Sequence, residues 1–384
     1  MRKRTMISVA VMLFALFNLS GVRYEPVVQV VPGPNLPAEV KCQRSNNNLD
    51  IAMFEGRLFL AFRTAPTHFA SRMVHHYIIS SPDFGKTWDF EAEVFMGSDM
   101  REPRFLVLGD RLIYYNFQAG KNMFSFAPKH IWAMERKSLG VWTEPRKVFK
   151  DGCVLWRAKV INGTAYATAY CGGEGEYTGG NAQIGIYFLT TKDGYNFEPV
   201  DPEKPIIATG GSETDFEIDR KGDLYAVIRN EAGDGKSWAS KVCKAGAGHL
   251  SDWKCVDSEY KPDSPLVFKH NDEIYVIGRR SLGGPYDKGK RALPDSVETL
   301  YYLAHYWWTK KRTALYRLDK DTLSLEPILD FPSKGDTSFA GLIKLNENQY
   351  LMYNYSSDPE GKDRVWMSGQ LHQSNIYSTI ITFE

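Results

Sequence analysis

The sequence predicts an all-β protein, a six-bladed β-propeller of four-stranded antiparallel blades, and three observations carry that expectation. A polar turn followed by an aromatic-rich strand recurs six times, as FEGRLFLAFR (54–63), LGDRLIYYNF (108–117), INGTAYATAY (161–170), RKGDLYAVIR (220–229), HNDEIYVIGR (270–279) and NENQYLMYNY (346–355). Another apolar strand precedes each turn (DIAMF, PRFLVL, RAKVI, TDFEI, PLVFK, FAGLIKL), so every unit opens with a hairpin. Two more strands fit into most units, and four antiparallel strands repeated every ~40–50 residues is the period of a propeller blade. The aromatic content, 21 Tyr, 21 Phe and 9 Trp in 384 residues, suits strands better than helical bundles. Two stacked β-sandwiches would explain the repeated hairpins less well.

The elements follow in chain order. MRKRTMISVAVMLFALFNLSG joins a basic start to an apolar run of signal-peptide length, short for a membrane span. Residues 1–21 are therefore expected to be a signal peptide or a retained N-terminal anchor. Residues 22–384 form one propeller domain in a secreted or periplasmic protein, with no membrane span beyond that anchor. The Val- and Pro-rich stretch from Tyr24 to Val40 is expected to supply a strand that closes the ring. In the first unit MVHHYIISS and DFEAEVF flank the turn SSPDFGKTWDF. There Asp83 can bond its own backbone, Gly85 can take a positive φ and Trp88 can fold over the turn. The fifth unit carries extra length between Ser281 and Lys311, where DSVETLYYLAHYWW reads as an inserted helix.

Five cysteines leave an odd thiol if the compartment is oxidising. Cys243 and Cys255 are expected to pair across neighbouring strands. Cys153 and Cys171 flank the Asn162-Gly163 turn, whose two-residue loop pairs positions summing to 325, whereas these two sum to 324. An ideal ladder would put them on opposite faces, so they stay unassigned with Cys42. No spacing matches a zinc site. The charge balance, 47 Lys and Arg against 46 Asp and Glu, is +1 and argues against a nucleic-acid partner. The Gly-rich loop CGGEGEYTGGN lacks the Lys-Ser/Thr of a phosphate-cradling loop. Neither cofactor nor metal is expected.

Ser81-x-Asp83-x-Gly85-x-Thr87-Trp88 resembles the Asp-box of the sialidase superfamily, a turn between the third and fourth strands of a propeller blade. TTKDGYNF keeps part of the pattern, and SLGVW and HLSDW keep fragments. In register with six hairpins, the resemblance extends over nearly the whole chain after Arg44. It implies a site at one mouth of the channel: an arginine triad on a sugar carboxylate, a tyrosine–glutamate pair and an aspartate acid/base. Arginine suits that task because its fork of donors is always charged. By resemblance Arg44 in CQRSNNNLDIAMF is the first arginine, Glu213 and Arg229 in GSETDFEIDRKGDLYAVIRNE are the glutamate and second arginine, and Arg279 or Arg280 is the third. Two positions depart from the family. Phe339 stands where the tyrosine is expected, and phenylalanine cannot attack. The acid/base loop reads RTAPTHFASR, where His68 is the titratable candidate beside Arg63 and Arg72.

Breaking a glycosidic bond takes a proton donor at the leaving oxygen and a partner at the anomeric carbon. Asp50, Glu102, Glu213, Asp215 and Asp336 all lie near the starts of innermost strands. The catalytic candidates are Glu213, Asp50, Glu102, Asp215 and His68, and Arg101-Glu102-Pro103 also resembles the Arg-Asp-Pro element of five-bladed furanosidase-type glycosidases. The competing role for Asp50, Asp215 and Asp336 is to bond neighbouring backbone. A carboxylate facing Arg229 should keep a low pKa, whereas one away from arginines is the natural proton donor. Substrate contacts are expected from Arg44, Arg63, Arg101, Arg157, Arg229, Arg279, Arg280, Asp336 and Tyr177, with Tyr286 and Trp307-Trp308 as further aromatic platforms. The expected function is exo-acting hydrolysis of an acidic glycan. The alternative is a non-catalytic carbohydrate-binding or scaffold propeller.

Overall fold

Six antiparallel sheets follow one another along the chain, and the first strand of each packs against the first strands of its neighbours around a common axis. The computed structural model describes residues 21–120, 128–172, 184–230, 233–234, 237–283 and 293–384. Residues 1–20, where a signal peptide or anchor is expected, lie outside them, as do Tyr177 and Tyr286. The innermost strands are Ser45–Phe54, Met100–Leu108, Cys153–Ile161, Thr214–Ile218, Asp263–His270 and Lys334–Lys344. Each turns directly into its hairpin partner, so all six expected hairpins are the first two strands of six blades. The protein is a six-bladed β-propeller.

Every blade is buried on both faces, and strand alternation divides its side chains between two neighbours. Along Arg57–Ala65, Leu58, Leu60 and Phe62 pack with Leu351, Tyr353 and Tyr355 of the last blade. Phe59 and Ala61 point the other way, onto Phe105, Leu112 and Tyr114 of the second blade. Each fully buried Leu or Phe in such a layer contributes about 1.5–3 kcal/mol. The aromatic-rich hairpins thereby glue blade to blade.

The ring closes through the N-terminal segment. Val22–Tyr24 pairs with Ile381–Phe383, and Val28–Val31 pairs with the same outer strand nearer its start. One of these two strands lies in the expected stretch and the other begins just before it. In the first blade, Asp83 receives the Thr87 N–H at 2.8 Å and the Thr87 hydroxyl at 2.7 Å, and Trp88 is buried over the turn. That turn joins His75–Ser81 to Asp89–Val94, far from the axis. Helix α1 (Asp295–Trp307) is inserted in the fifth blade as expected, and buries Tyr302, Leu303 and Tyr306. A second short helix, α2 (Trp366–Gln370), was not anticipated; it lies between strands of the sixth blade. Among the described residues no helix is long and apolar enough to cross a membrane.

Cys243 pairs with Cys255 directly across the ladder. Cys153 is bonded to Cys171, against the face argument from an ideal hairpin. The reason is a register shift between Leu155 and Arg157: past it, Cys153 stands opposite Cys171. Cys42 is the free thiol, half-buried, and burial pushes its pKa up to about 11.

Candidate functional site

Similar register shifts occur near the start of five innermost strands, at Asn48, Glu102-Pro103, Trp156, Ser264-Pro265 and Phe339-Ala340. A bulge leaves one residue unpaired and re-aims its side chain. Four of these residues carry left-handed backbone, with φ of 40° at Asn48, 52° at Glu102, 52° at Ser264 and 55° at Phe339. Such strain costs of order 1–3 kcal/mol per residue and persists only where the surroundings impose it. Its effect is to turn Asn48, Glu102 and Phe339 into a cavity of about 250 Å³ at this end of the channel.

Glu102 and Glu213 share that cavity but not an environment. Glu213 accepts from Arg229 Nη1 at 2.7 Å, from the Ser264 N–H at 2.8 Å and from the Ser264 hydroxyl at 3.1 Å. Among the described residues Glu102 has only Asn48 Nδ2 at 3.2 Å and a long contact to Arg104 Nη2 at 3.5 Å. Burial pushes its pKa up to about 7; Arg104 opposes this, and the negative charge of Glu213 adds to it. Near neutral pH one carboxyl is poised to hold a proton while the other is committed to a guanidinium.

His68 lines the same cavity from the loop after the second strand of blade one. Its Nδ1 lies 2.6 Å from Asp336 Oδ2. Asp336 is fully buried behind it and also receives the Tyr355 hydroxyl and Trp366 Nε1, each at 3.0 Å. The resemblance asks for a carboxylic acid in this loop, and the structure supplies a histidine backed by one.

Three guanidiniums border the cavity, each already engaged. Arg101 is held by Asp99 at 2.6 Å, and Arg229 by Glu213 and by Asp263 at 3.1 Å. Arg279 bonds the Thr337 carbonyl at 2.7 Å and the hydroxyls of Tyr306 and Tyr355, with the Trp366 ring 4.8 Å from its centre. Phe339 fills part of the wall, stacked edge-on against Trp156. Trp307 from α1 also lines the space, whereas Trp308 is 65% exposed and does not.

The other sequence candidates lie elsewhere. Asp50 accepts the Phe105 N–H at 2.8 Å and Asp215 accepts the Val267 N–H at 2.8 Å, so each ties its strand to the next blade. That is the competing role the sequence left open for them, and neither lines the cavity. Arg157 lies between these two aspartates, 3.2 Å from Asp215 and 3.6 Å from Asp50, and is a channel cation outside the cavity. Arg63 is fully buried against Asp99, Arg280 turns outward to Asp330, and Arg44 is exposed. None of these three lines the cavity. Sequence reasoning missed Asn48, Asp99, Ser264 and the α2 residues Trp366 and Gln370. The Asn46–Asn48 run and the acid just before Met100-Arg101-Glu102 were the available signals.

No family model matches this chain, and no curated protein matches it. Among solved structures it resembles a protein of unknown function from Dyadobacter fermentans, with a TM-score of 0.64 and 13% identity over 95% of this chain and 100% of that one. It also resembles Trypanosoma rangeli sialidase in complex with sialic acid, with a TM-score of 0.56 and 11% identity over 94% of this chain and 59% of that one. The covalent-intermediate complex of that sialidase with 2,3-difluorosialic acid gives 0.57 and 10% over 94% of this chain and 58% of that one. The chain thus spans under two thirds of the sialidase chains, and at these identities the likeness is one of fold alone, that of the propeller.

Proposed function

We propose that the protein is an exo-acting glycoside hydrolase that removes a terminal, acidic sugar from an exported or periplasmic glycan. The observation that carries this reading is the meeting of two carboxyls of opposite character in one small cavity. Glu102, whose raised pKa of about 7 lets it keep a proton up to neutral pH, is the general acid that gives its proton to the leaving glycosidic oxygen. The Glu213 carboxylate faces it as the electrostatic partner of the oxocarbenium-like transition state. Arg101, Arg229 and Arg279 at the border favour a sugar with an anionic substituent. The cavity matches one sugar unit better than an extended chain, which supports exo action.

The test is release of sugar from a panel of sialosides, uronosides and neutral glycosides, repeated with Glu102→Gln. Loss of a general acid should lower kcat by about 10²- to 10⁴-fold on natural glycosides, and far less on aryl glycosides whose leaving group needs no proton. Phe339 favours a second reading, a glycan-binding propeller without chemistry. That reading requires binding of a panel member with no release from any of them.

A further inference from the structure

Resting on the hydrolase reading, we propose that His68, oriented by Asp336, is the base that activates water, so that the sugar leaves by a single displacement with inversion of the anomeric carbon. In that step the water oxygen bonds to the anomeric carbon as the glycosidic C–O bond breaks. His68 Nε2 takes the water proton, and Glu102 gives its proton to the leaving oxygen. Solvent then returns the proton from His68 and reprotonates Glu102.

The first support is the mounting of the loop. Buried Asp99 holds both Arg63, at 2.8 Å, and Arg101, at 2.6 Å. These two guanidiniums grip three successive backbone carbonyls: Arg63 bonds Thr67 and Phe69, and Arg101 bonds His68. The His68 N–H bonds the Gln370 carbonyl at 3.1 Å. A surface loop has no need of a fully buried and a half-buried arginine on its carbonyls, whereas a base must be held within a fraction of an ångström.

The second support is the tautomer. Nδ1 is 2.6 Å from the Asp336 carboxylate and 3.2 Å from the Asn47 amide nitrogen, which also has Ser45 Oγ at 2.9 Å. The shorter contact requires a proton on Nδ1, which leaves the lone pair on Nε2. Nε2 has no hydrogen-bond partner among the described residues, and the ring lines the cavity. Burial draws the His68 pKa below its ordinary value, while Asp336 opposes this and Arg101 and Arg63 reinforce it. The ring is thus neutral at pH 7 with the Nε2 lone pair open to a proton, and the imidazolium formed in the reaction rests on Asp336. Although burial opposes its charge, the Asp336 carboxyl stays below the usual carboxylate range through His68, Arg279 and Tyr355.

The third support is that three described residues where an attacking group for the alternative double displacement would be sought are unsuited to it. Phe339 has no hydroxyl. Tyr355 is fully buried, donates to Asp336, and has its pKa raised well above the ordinary value by burial. Both Glu213 oxygens are engaged, one by Arg229 and the other twice by Ser264. With these three unsuited, water is the attacker of this proposal, and retention of configuration would instead point to a side chain such as Tyr170, which also lines the cavity.

Proton NMR of the first-formed anomer during turnover by the full chain tests the stereochemistry: inversion is expected, and retention overturns the proposal. His68→Gln should lower kcat by about 10²- to 10⁴-fold and remove the acid limb of the pH profile. That limb belongs to a ring faced by Asp336, Arg63, Arg101 and Asn47, with Glu102 and Glu213 across the cavity. In His68→Gly, azide, which needs no base, should restore turnover and give a glycosyl azide of inverted configuration, an outcome a structural role for His68 cannot produce. Asp336→Asn, a change at a positioning residue, should lower kcat with little change in KM. An unaltered pH profile in His68→Gln overturns the proposal. A measurement independent of turnover is the ¹⁵N spectrum of the His68 ring, where a proton on Nδ1 is expected and a neutral ring protonated at Nε2 overturns it. Absence of sugar release by the wild-type chain from every glycoside would instead defeat the hydrolase reading, while the ring spectrum would still judge the dyad.

Discussion

Glu213 and Asp215 stand two residues apart in the same chain segment and each accepts an N–H of the next blade, yet only Glu213 lines the cavity. Asn48 and Asp50 repeat the pairing in the first blade. The second residue of each pair lies roughly 7 Å deeper in the channel. There Asp50 and Asp215 accept backbone N–H groups from the adjoining blade, and Asp215 also takes Lys159 at 2.7 Å. At the upper level, bulges open the ladder and leave Glu102 with two weak partners. An acid whose lone pairs are spent on the next blade's backbone, as at Asp50, Asp215 and Glu213, is fixed in place, and an acid buried without them, as at Glu102, is available for proton transfer.

The contrast can be broken most forcefully at the frame. Asp215→Ala strands Lys159 and the Val267 N–H in the channel, and removing one member of a buried ion pair costs about 3–5 kcal/mol. Urea denaturation measures it, and a loss below about 1 kcal/mol would erase the distinction between the two levels. Glu102→Gln should do the reverse. Glu102 titrates at about 7 in the folded chain against an ordinary 4.5. The folded state therefore keeps a proton that the unfolded chain has released, and stability falls as pH rises from 4.5 through 7. The full difference is about 3 kcal/mol. The glutamine variant should match wild type near pH 4 and exceed it by up to that amount at pH 8, while losing hydrolysis. Equal denaturation midpoints at both pH values would show that Glu102 is solvated like a surface acid.

Smaller effects sharpen the comparison within the upper level. Ser264→Ala removes the hydroxyl donor at 3.1 Å from Glu213 but keeps the N–H at 2.8 Å, so a loss of about 1 kcal/mol in transition-state stabilisation is expected from kcat/KM. Phe339→Tyr adds one hydroxyl at the cavity wall. It should change stability by less than about 1.5 kcal/mol and leave the product anomer inverted. A switch to retention would mean that a phenol at this position can attack.

Much of the architecture was legible because it is written locally. Six turn-plus-aromatic hairpins each report a period-two pattern that only a strand pair satisfies, and the helix at 295–307 reports itself in the same way. The Cys243–Cys255 bond joins neighbouring strands, and Glu213 with Arg229 spans one hairpin. The expectations that went astray did so at bulges. Cys153 and Cys171 were set on opposite faces because an ideal ladder has no extra residue at Trp156. Asp50 and Asp215 read like Glu102 and Glu213 because strand position was visible and depth was not. The seven expected cations divided in the same way: Arg229 and Arg279 reached the cavity with Arg101, Arg63, Arg157 and Arg280 found acids elsewhere, and Arg44 is exposed.

By itself the sequence determined the number of blades, the hairpins that build them and the residue types near the channel mouth, since these depend on alternation and turn chemistry within a few dozen residues. Tertiary structure alone decided which acid was left poised to hold a proton and which became a tie. That choice depends on which N–H groups and guanidiniums of other blades fall within 3 Å of each carboxyl. The clearest case is His68 and Asp336, 268 residues apart in the chain and 2.6 Å apart in the fold. Ring closure brings the first blade against the last, and no local pattern in either segment encodes the distance between them.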